Sequence, residues 1–329
     1  MIFFRDGEDP KPHPPFSVQS RRKNIMEYLL TTSGLTKRYG RTKAVDHLNL
    51  HIRPGDIYGL IGRNGAGKTT LLRMLSGLAS PTEGEISLFG ETGRDARRAM
   101  SRIGTLIESP GVYPGMTAAE NLKLKCIAVG IRRKHYIEEL LELVGLADVG
   151  KKKVRNFSIG MKQRLGIALA LVGEPDLIIL DEPINGLDPQ GIAQMRETLA
   201  LLNHEKDITF IISSHILEEL SKLATNYGII HRGVLLQELT HEELLARCSE
   251  RIELHTDNIR HTCVVLDRMN IQNYKVVDGD TIQIFERLDS GGEITMQLAK
   301  EGIKTLGISV KNEALEDYYL NLTGGKQNV

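Results

Sequence analysis

Residues 57–70 read Ile-Tyr-Gly-Leu-Ile-Gly-Arg-Asn-Gly-Ala-Gly-Lys-Thr-Thr, and this stretch decides the fold. Its first five residues form a compact apolar run, which predicts a buried strand. The next eight match the phosphate-loop pattern of Gly, four variable residues, Gly, Lys and Ser or Thr. A helical pattern follows at 69–78. A strand, a glycine-rich loop and a helix in this order predict a site for nucleotide phosphates.

Each residue type in this loop suits the binding of phosphate. Glycines let backbone N–H groups approach phosphate oxygens without a Cβ in the way, and the N-terminus of the following helix attracts anions. Lys68 supplies a positive charge to the β- and γ-phosphates, and the Thr69 hydroxyl can ligate Mg²⁺. The residues predicted to bind the nucleotide through this loop are Gly62, Arg63, Asn64, Gly65, Ala66, Gly67, Lys68, Thr69 and Thr70.

A second motif is Leu-Ile-Ile-Leu-Asp-Glu at 177–182. A bare buried charge is costly, so a carboxylate at the end of an apolar strand needs a partner. A Mg²⁺ ion held beside Thr69 is that partner, which predicts Asp181 as a metal residue and Glu182 as the residue that polarises the attacking water. The alternative is a strand that merely ends in acidic residues, and it would be preferred if the phosphate loop were absent.

Short strands and helices alternate around these motifs. Apolar runs at 177–180 and 208–212 predict central strands covered on both faces, and residues 161–172 and 190–203 have helical patterns. This is the layout of an α/β fold with a mostly parallel sheet. Residues 109–157 differ because they contain two helical patterns and no evident strand, which predicts a helical insert.

The two ends of the chain differ from the central part, residues 26–240. Residues 1–25 are rich in proline and lack apolar periodicity, which predicts a disordered extension, and no apolar segment follows their basic residues as it does in a signal peptide. Residues 241–329 show the order strand, helix, strand, strand, helix, strand. That order predicts a small α+β domain of the split βαβ type.

The composition excludes several classes of protein. The 329 residues include 42 Lys and Arg against 42 Asp and Glu, so the formal net charge is zero. This balance argues against a protein that binds nucleic acid by bulk charge. No apolar run approaches the roughly 20 residues of a membrane-spanning helix. Three widely separated cysteines, Cys126, Cys248 and Cys263, argue against a disulfide framework and against a metal site.

With these motifs in one order, residues 27–240 resemble the ATP-binding subunit of an ABC transporter. The resemblance implies a RecA-like core with an antiparallel β part and a helical insert. It implies that Tyr39 stacks on adenine, for which the alternative is core packing, and that His215 acts with Glu182 in catalysis. It also assigns Ser158, Gly160 and Met161 to the signature that contacts the nucleotide of a second cassette, and Asp188 to the D-loop.

The signature and one further position depart from the usual pattern of the family. Ile159 stands at the first glycine of the signature and Met161 at its glutamine, but Ser158 and Gly160 remain, so the contact with phosphate should survive. Glu108 stands where most of the family has glutamine. Both residue types can reach Mg²⁺ or its water through oxygen, which predicts Glu108 as a metal residue.

Three features are similar to one subgroup, the exporters of bacitracin and lantibiotics. They are Glu108, the Met-Lys-Gln-Arg continuation of the signature at 161–164, and the ending at 315–323. The alternative is that Glu108 is a neutral variant in another exporter.

The resemblance also implies cofactors and partners. Two cassettes, in a homodimer or a pair of homologues, enclose two ATP molecules with Mg²⁺ and drive a separate integral membrane permease from the cytoplasmic face of the membrane. The alternatives are an exporter of another substrate, a transporter that senses an antibiotic, and an ABC ATPase that acts on ribosomes or DNA. The last is disfavoured because the chain carries one cassette and no net positive charge, so no nucleic acid partner is expected.

Overall fold

The structure is a computed structural model that describes residues 27–248, 250–311 and 315–324. The predicted disordered extension, residues 1–25, lies outside the described residues. The chain divides into two compact units between Glu238 and Leu239, against a boundary expected from the sequence between residues 240 and 241.

The first unit alternates strands and helices, as expected for an α/β fold. In chain order its elements are β1 (Leu30–Tyr39), β2 (Thr42–Ile52), β3 (Ile57–Ile61), α1 (Lys68–Leu75), β4 (Glu83–Leu88), α2 (Gly93–Ala99), β5 (Ile103–Leu106), α3 (Ala118–Ala128), α4 (Tyr136–Leu143), α5 (Ile159–Leu171), β6 (Leu177–Asp181), α6 (Pro189–Lys206), β7 (Thr209–Ser214), α7 (Leu217–Ser221), β8 (Asn226–His231) and β9 (Val234–Thr240), whose last two residues follow the unit boundary. The helices predicted at 69–78, 161–172 and 190–203 are α1, α5 and α6, and each begins one or two residues earlier than predicted.

A mostly parallel sheet in the order β5-β6-β7-β3-β8-β9 forms the centre of this unit. Every residue of β3, β6 and β7 is buried, as their apolar runs predict. The polar residues that end β6 and β7, Asp181, Ser213 and Ser214, are buried as well. The register pairs Ser213 of β7 with Asp181 of β6 on one side and with Leu60 of β3 on the other. The carboxyl ends of these three strands therefore meet at one edge of the sheet, where the predicted site residues follow.

A second, antiparallel sheet in the order β2-β1-β4 packs on the same core. Buried residues of this sheet, including Leu30 and Leu50, join Leu71 of α1 and Ile179 of β6 in one apolar cluster. Helix α1, and with it the phosphate loop that precedes it, is thus held between the two sheets.

The insert predicted at 109–157 contains helices α3 and α4 and no strand in this range of described residues. Helix α3 begins with a capping box, in which the Thr117 side chain accepts from the Glu120 N–H and the Glu120 carboxylate accepts from the Thr117 N–H. Such reciprocal bonds satisfy two of the N–H groups that a helix start leaves without a partner.

The second unit has the strand and helix order predicted for the split βαβ type. After α8 (His241–Cys248) its elements are β10 (Arg251–Thr256), α9 (Ile259–Arg268), β11 (Tyr274–Val276), β12 (Thr281–Ile284), α10 (Gly291–Lys300), β13 (Thr305–Lys311) and α11 (Leu315–Leu322). The antiparallel sheet has the order β11-β12-β10-β13 and its own apolar core. The pattern at 313–322 predicts a further, last helix, and residues 313 and 314 at its start lie outside the described residues.

Within the described ranges, no helix combines the length and the apolarity that crossing a membrane requires.

Candidate nucleotide-binding and hydrolysis site

The loop between β3 and α1 is a backbone cradle with one open side. Gly67 has a φ of 108°, and a Cβ at this position would lie 2.4 Å from the carbonyl oxygen of Ala44, so only glycine fits where the loop crosses β2. Gly65 has a φ of 80°, yet nothing lies within 4 Å of the place a Cβ would take. One glycine thus packs the loop against the core, and the other leaves room for a ligand to approach the backbone.

Lys68, the first residue of α1, reaches back across this loop. Its side chain is 6% exposed, and its ammonium group donates to the carbonyl oxygen of Gly62 at 2.5 Å. The same group lies 3.1 Å from Oε1 of Glu182. The charge predicted to meet the phosphates is therefore held inside the cradle, between the loop and the end of β6.

Thr69 and Asp181 bring two oxygen atoms together at the base of the loop. The Thr69 hydroxyl donates to Oδ2 of Asp181 at 2.8 Å, and the Ser213 hydroxyl donates to its Oδ1 at 2.5 Å. A hydroxyl and a carboxylate fit Mg²⁺, which takes few protein oxygens and keeps waters and phosphate oxygens as its other ligands. Within the described parts of the chain no three His, Cys, Asp or Glu side chains form a metal cluster.

Glu182 and His215 follow adjacent strands and meet at the same edge of the sheet. Nδ1 of His215 lies 2.7 Å from Oε2 of Glu182, and the Glu182 N–H donates to the Ser213 hydroxyl at 2.9 Å. Glu182 adopts a φ of 50°, a backbone conformation that is uncommon for a residue with a side chain. The turn at this residue leaves its carboxylate between Lys68 and His215.

Sequence reasoning missed Ser213, which bonds both to the carboxylate of Asp181 and to the backbone of Glu182. The signal was present, because Ser213 lies directly before the Ser-His pair at 214 and 215 and at the end of an apolar strand. Its role depends on the register of β6 and β7, which the sequence does not specify.

Glu108 follows β5 and pairs with the guanidinium of Arg73 on α1. Glu108 also has a positive φ, 65°. Arg73 lies four residues after Thr69 and therefore on the same face of α1. Sequence reasoning missed Arg73, although this spacing could have indicated it. The structure thus brings Glu108 to the helix that carries Thr69, and its role as a metal residue stays a prediction.

Tyr39 ends β1 and is 51% exposed. This exposure argues against core packing, the alternative explanation for this aromatic residue. The Lys37 ammonium group lies 5.2 Å from the ring centroid. The ring is therefore available to stack on a planar ligand.

The remaining predicted loop residues differ in their exposure to solvent. Arg63 and Asn64 are exposed, Thr70 is half-buried, and Ala66 is buried, with its carbonyl accepting from the Gly233 N–H at 2.8 Å. Ala66 therefore ties the loop to the turn between β8 and β9.

The signature residues and the D-loop lie at two neighbouring helix starts. Ser158 caps α5 by accepting from the Met161 N–H at 3.2 Å, and Asp188 caps α6 by accepting from the Gly191 N–H at 3.1 Å. A Cβ at Gly160 would lie 3.4 Å from Leu187. Capping is a structural reason for Ser158 and Asp188 at these positions. It adds to the predicted contact with a second cassette.

Comparisons with known proteins agree with this arrangement. Residues 45–185 match a family model described as ABC transporter. The chain is 44% identical over 302 residues to the bacitracin transport ATP-binding protein BcrA of Bacillus licheniformis, and the match covers 91% of this chain and 99% of that protein. The chain belongs to the ABC transporter ATP-binding proteins.

Other matches to this ABC ATPase extend the comparison. The lantibiotic transport ATP-binding protein SrtF of Streptococcus pyogenes is 42% identical over 210 residues, which cover 64% of this chain and 90% of that protein. Among solved structures, cbiO1 of Clostridium perfringens, part of the cbiONQ ABC transporter complex, has a TM-score of 0.61 at 25% identity and covers 74% of this chain and 98% of that one. A dimeric ATP-binding cassette in a post-hydrolysis state with ADP and Pi has a TM-score of 0.59 at 25% identity and covers 64% and 98%.

The ABC ATPase therefore binds and hydrolyses ATP, and cassettes of this family act as dimers with membrane permease subunits.

Proposed function

We propose that two copies of this cassette hydrolyse MgATP and thereby drive a separate membrane permease, on whose cytoplasmic side they sit, to export a bacitracin-type peptide antibiotic. The observation that carries the proposal is the 44% identity to the bacitracin transport ATP-binding protein over 99% of that protein. The export would give the cell resistance to the antibiotic.

The extent of the match supports bacitracin rather than a lantibiotic as the substrate class. The first unit ends at residue 238, so an alignment of 302 residues must include more than sixty residues of the second unit. The lantibiotic relative aligns over 210 residues although these make up 90% of its length. A protein of that length has no room for a matching second unit of about ninety residues.

In the proposed mechanism the first steps are carried by the phosphate loop. The open backbone at Gly65 and the positive charge of Lys68 bind the β- and γ-phosphates, while Tyr39 stacks on the base. Thr69 and Asp181 would hold Mg²⁺, with Glu108 as the further metal residue expected from the sequence, and the ion would neutralise charge on the phosphates. Because Lys68 lies 3.1 Å from Glu182, binding of the γ-phosphate at Lys68 places it beside the proposed base.

Hydrolysis depends on Glu182 and His215. The Glu182 carboxylate orients a water and accepts its proton, and the 2.7 Å contact with His215 fixes the direction of that carboxylate. Ser158, Gly160 and Met161 of the second copy approach the γ-phosphate from the other side through the N-terminus of α5. Asp188 lies at this face of the dimer and links the two sites.

The permease would dock in a groove of about 430 Å³ on the first unit. Its walls are the end of β5 with the loop that follows it, α3 and α5. On α3, Leu124 and Ile127 are 39% and 65% exposed. A groove whose lining mixes apolar side chains with polar ones, among them Asn121 and Lys125, and which has an exposed helix at its edge, fits a short amphipathic helix of a partner.

The proposal is tested by antibiotic susceptibility. Cells that lack their own exporter would receive this chain together with its permease, or the same pair with Glu182→Gln. We expect the wild-type pair to raise the inhibitory concentration of bacitracin. With the variant pair, this concentration should stay at the value measured for cells that received neither protein. Protection against a lantibiotic but not against bacitracin would contradict the proposed substrate class and indicate a lantibiotic instead. Induction of a resistance gene without a change in drug efflux would favour a sensing transporter.

A further inference from the structure

The end of helix α3 and the turn after it concentrate positive charge in a chain whose formal net charge is zero. Residues 121–137 contain no Asp or Glu, but they contain five basic residues, which are Lys123, Lys125, Arg132, Arg133 and Lys134. The charge balance of the whole chain is therefore not the balance of this segment. A local surface of this kind attracts anions although the molecule as a whole is neutral.

Most of these charges are not used to hold the fold together. Arg133 is the exception, because its guanidinium group pairs with two acidic side chains. Lys123, Arg132 and Lys134 are exposed. Within the parts of the chain that the structure describes, none of these three residues forms an ion pair. Their charges are therefore available to a ligand outside the chain.

The acidic residues on either side of the segment leave this surplus of positive charge in place. Before the segment, the Glu120 carboxylate is paired with the Lys153 ammonium group at 3.1 Å. After it, Glu138 is exposed and contributes one negative charge beside three positive ones. The surface at the end of α3 therefore keeps a net positive charge.

Apolar side chains are exposed between these cations. Ile127 is 65% exposed and Val129 is 47% exposed, and Ile127 lies one turn after Lys123 on the same face of α3. The Ile131 N–H donates to the carbonyl oxygen of Cys126 at 2.9 Å, which ties the turn to the last turn of the helix. The exposed apolar side chains and the cations therefore belong to one surface.

We propose that this basic strip, defined as Lys123, Ile127, Val129, Arg132 and Lys134, binds the headgroups of anionic lipids at a membrane surface. Lysine and arginine beside exposed apolar side chains attract an anionic bilayer, and the apolar side chains enter its interface. The inference rests on the proposed function in one respect, which is the position of the chain on the cytoplasmic side of a membrane.

The basic strip lies beside the groove proposed for the permease. Leu124, Lys125 and Ala128 of α3 line that groove, whereas Lys123 and Ile127 are not among its lining residues. One helix therefore carries both surfaces. A lipid-bound strip would hold α3 against the bilayer, and this would keep the groove at the surface from which a helix of the permease emerges.

The test measures binding of the purified full-length chain to lipid vesicles without the permease. One set of vesicles contains equal parts of phosphatidylglycerol and phosphatidylcholine, and the other contains phosphatidylcholine alone. Cosedimentation gives the fraction of protein bound. We expect binding to the anionic vesicles, much weaker binding to the neutral ones, and a loss of binding as salt is raised, because salt screens the attraction.

A triple variant with Lys123→Gln, Arg132→Gln and Lys134→Gln tests the charges of the strip. Each cation near an anionic surface contributes roughly 5-fold to binding, so the triple variant should bind the anionic vesicles roughly 100-fold more weakly. Ile127→Gln removes an apolar contact and should weaken binding roughly 3- to 10-fold. The thermal midpoint should stay unchanged in both variants, since the altered side chains are exposed.

The matched control is a second triple variant, with Lys275→Gln, Lys300→Gln and Lys304→Gln. These exposed residues lie in the second unit, and their replacement changes the net charge by the same amount. The control variant should bind the vesicles as the wild-type chain does. Both triple variants should also be retained by the immobilised permease in detergent as well as the wild-type chain is.

Four results would overturn the inference. They are a wild-type chain that does not bind anionic vesicles, one that binds neutral vesicles equally well, a strip variant that binds as wild type, and a control variant that loses as much binding as the strip variant. A strip variant that keeps vesicle binding but loses retention by the permease would indicate that the strip contacts the permease instead. None of these results affects the proposed function, which fails separately if the wild-type pair gives no protection against bacitracin.

Discussion

At the scale of single residues, Glu182 is held by contacts with three neighbours. Its carboxylate lies 3.1 Å from the Lys68 ammonium group and 2.7 Å from the His215 ring. Its backbone is held at a φ of 50° by a hydrogen bond to Ser213. A side chain held by three neighbours is suited to orienting a water, because it loses little further conformational entropy when the reaction takes place.

We expect Glu182→Gln to slow ATP hydrolysis by roughly 10²- to 10⁴-fold, which is the usual contribution of a general base. Nucleotide affinity should remain within a few-fold of wild type, since Lys68 and the loop backbone are unchanged. Steady-state ATPase assays and titration with a fluorescent ATP analogue measure the two effects. The control is Glu197→Gln, an exposed residue of α6, and near-normal turnover in Glu182→Gln would remove Glu182 from catalysis.

At the scale of elements, the start of α3 shows how local sequence stabilises one wall of the groove. The Thr117 hydroxyl accepts from the Glu120 N–H at 3.1 Å, and the Glu120 carboxylate accepts from the Thr117 N–H at 2.6 Å. This backbone hydrogen bond, together with Lys153, lowers the pKa of Glu120 below its ordinary value of 4.5. Loss of the cap would fray the N-terminal end of α3.

We expect Thr117→Ala to lower the free energy of unfolding by about 1 kcal/mol, the usual cost of removing an N-cap side chain. Chemical denaturation followed by circular dichroism measures the change. Glu120→Gln is the matched variant, since glutamine can complete a capping box, and it should cost less. An equal loss in both variants would contradict this explanation.

The same residue predicts a dependence on pH. Because the pKa of Glu120 is lower in the folded chain, its contribution to stability is complete above its ordinary pKa and is lost as the pH falls through the lowered value. As the pH is lowered, the free energy of unfolding of Glu120→Gln should therefore fall less than that of the wild-type chain.

At the scale of the whole molecule, the proposed dimer requires each cassette to supply half of each catalytic site. The phosphate loop, Glu182 and His215 lie at the edge of the parallel sheet, whereas Ser158 and Gly160 lie at the start of α5. In a symmetric dimer each surface meets the complementary surface of the other copy. Two variants that are inactive for different reasons should then complement each other.

We expect Lys68→Ala and Gly160→Asp each to abolish hydrolysis, the first through lost phosphate binding and the second through a carboxylate placed against the phosphates. Each site of the proposed dimer takes its phosphate loop from one copy and its signature from the other. In a mixed dimer, one site therefore carries both changes and the other carries neither. Mixing the inactive proteins should therefore restore activity, up to roughly a quarter of wild type for random pairing and independent sites. ATPase assays on mixtures at varied ratios measure this. Mixtures that stay inactive while mixed dimers form would contradict a composite site.

Some parts of the fold could not be predicted from sequence. Strands β1 and β4 are absent from the predicted elements because their sequences, Leu-Thr-Thr-Ser-Gly-Leu-Thr-Lys-Arg-Tyr and Glu-Gly-Glu-Ile-Ser-Leu, are polar and contain glycine. They form because β1 pairs with β2 on one side and with β4 on the other, and such pairing is a long-range property. Gly84 fits there since a Cβ would lie 2.4 Å from the carbonyl oxygen of Gly34.

The sequence by itself determined the family, the alternation of strands and helices around the phosphate loop and the residues of that loop, because each depends on neighbours along the chain. Apolar runs, glycines and the Lys-Thr pair at the start of α1 are local signals. Only the tertiary structure decided which side chains meet at the site. Ser213 reaches Asp181 through the register of β6 and β7, and Glu108 meets Arg73 through a left-handed turn. Strand register and such turns are set by packing between distant segments, so no local pattern reveals them.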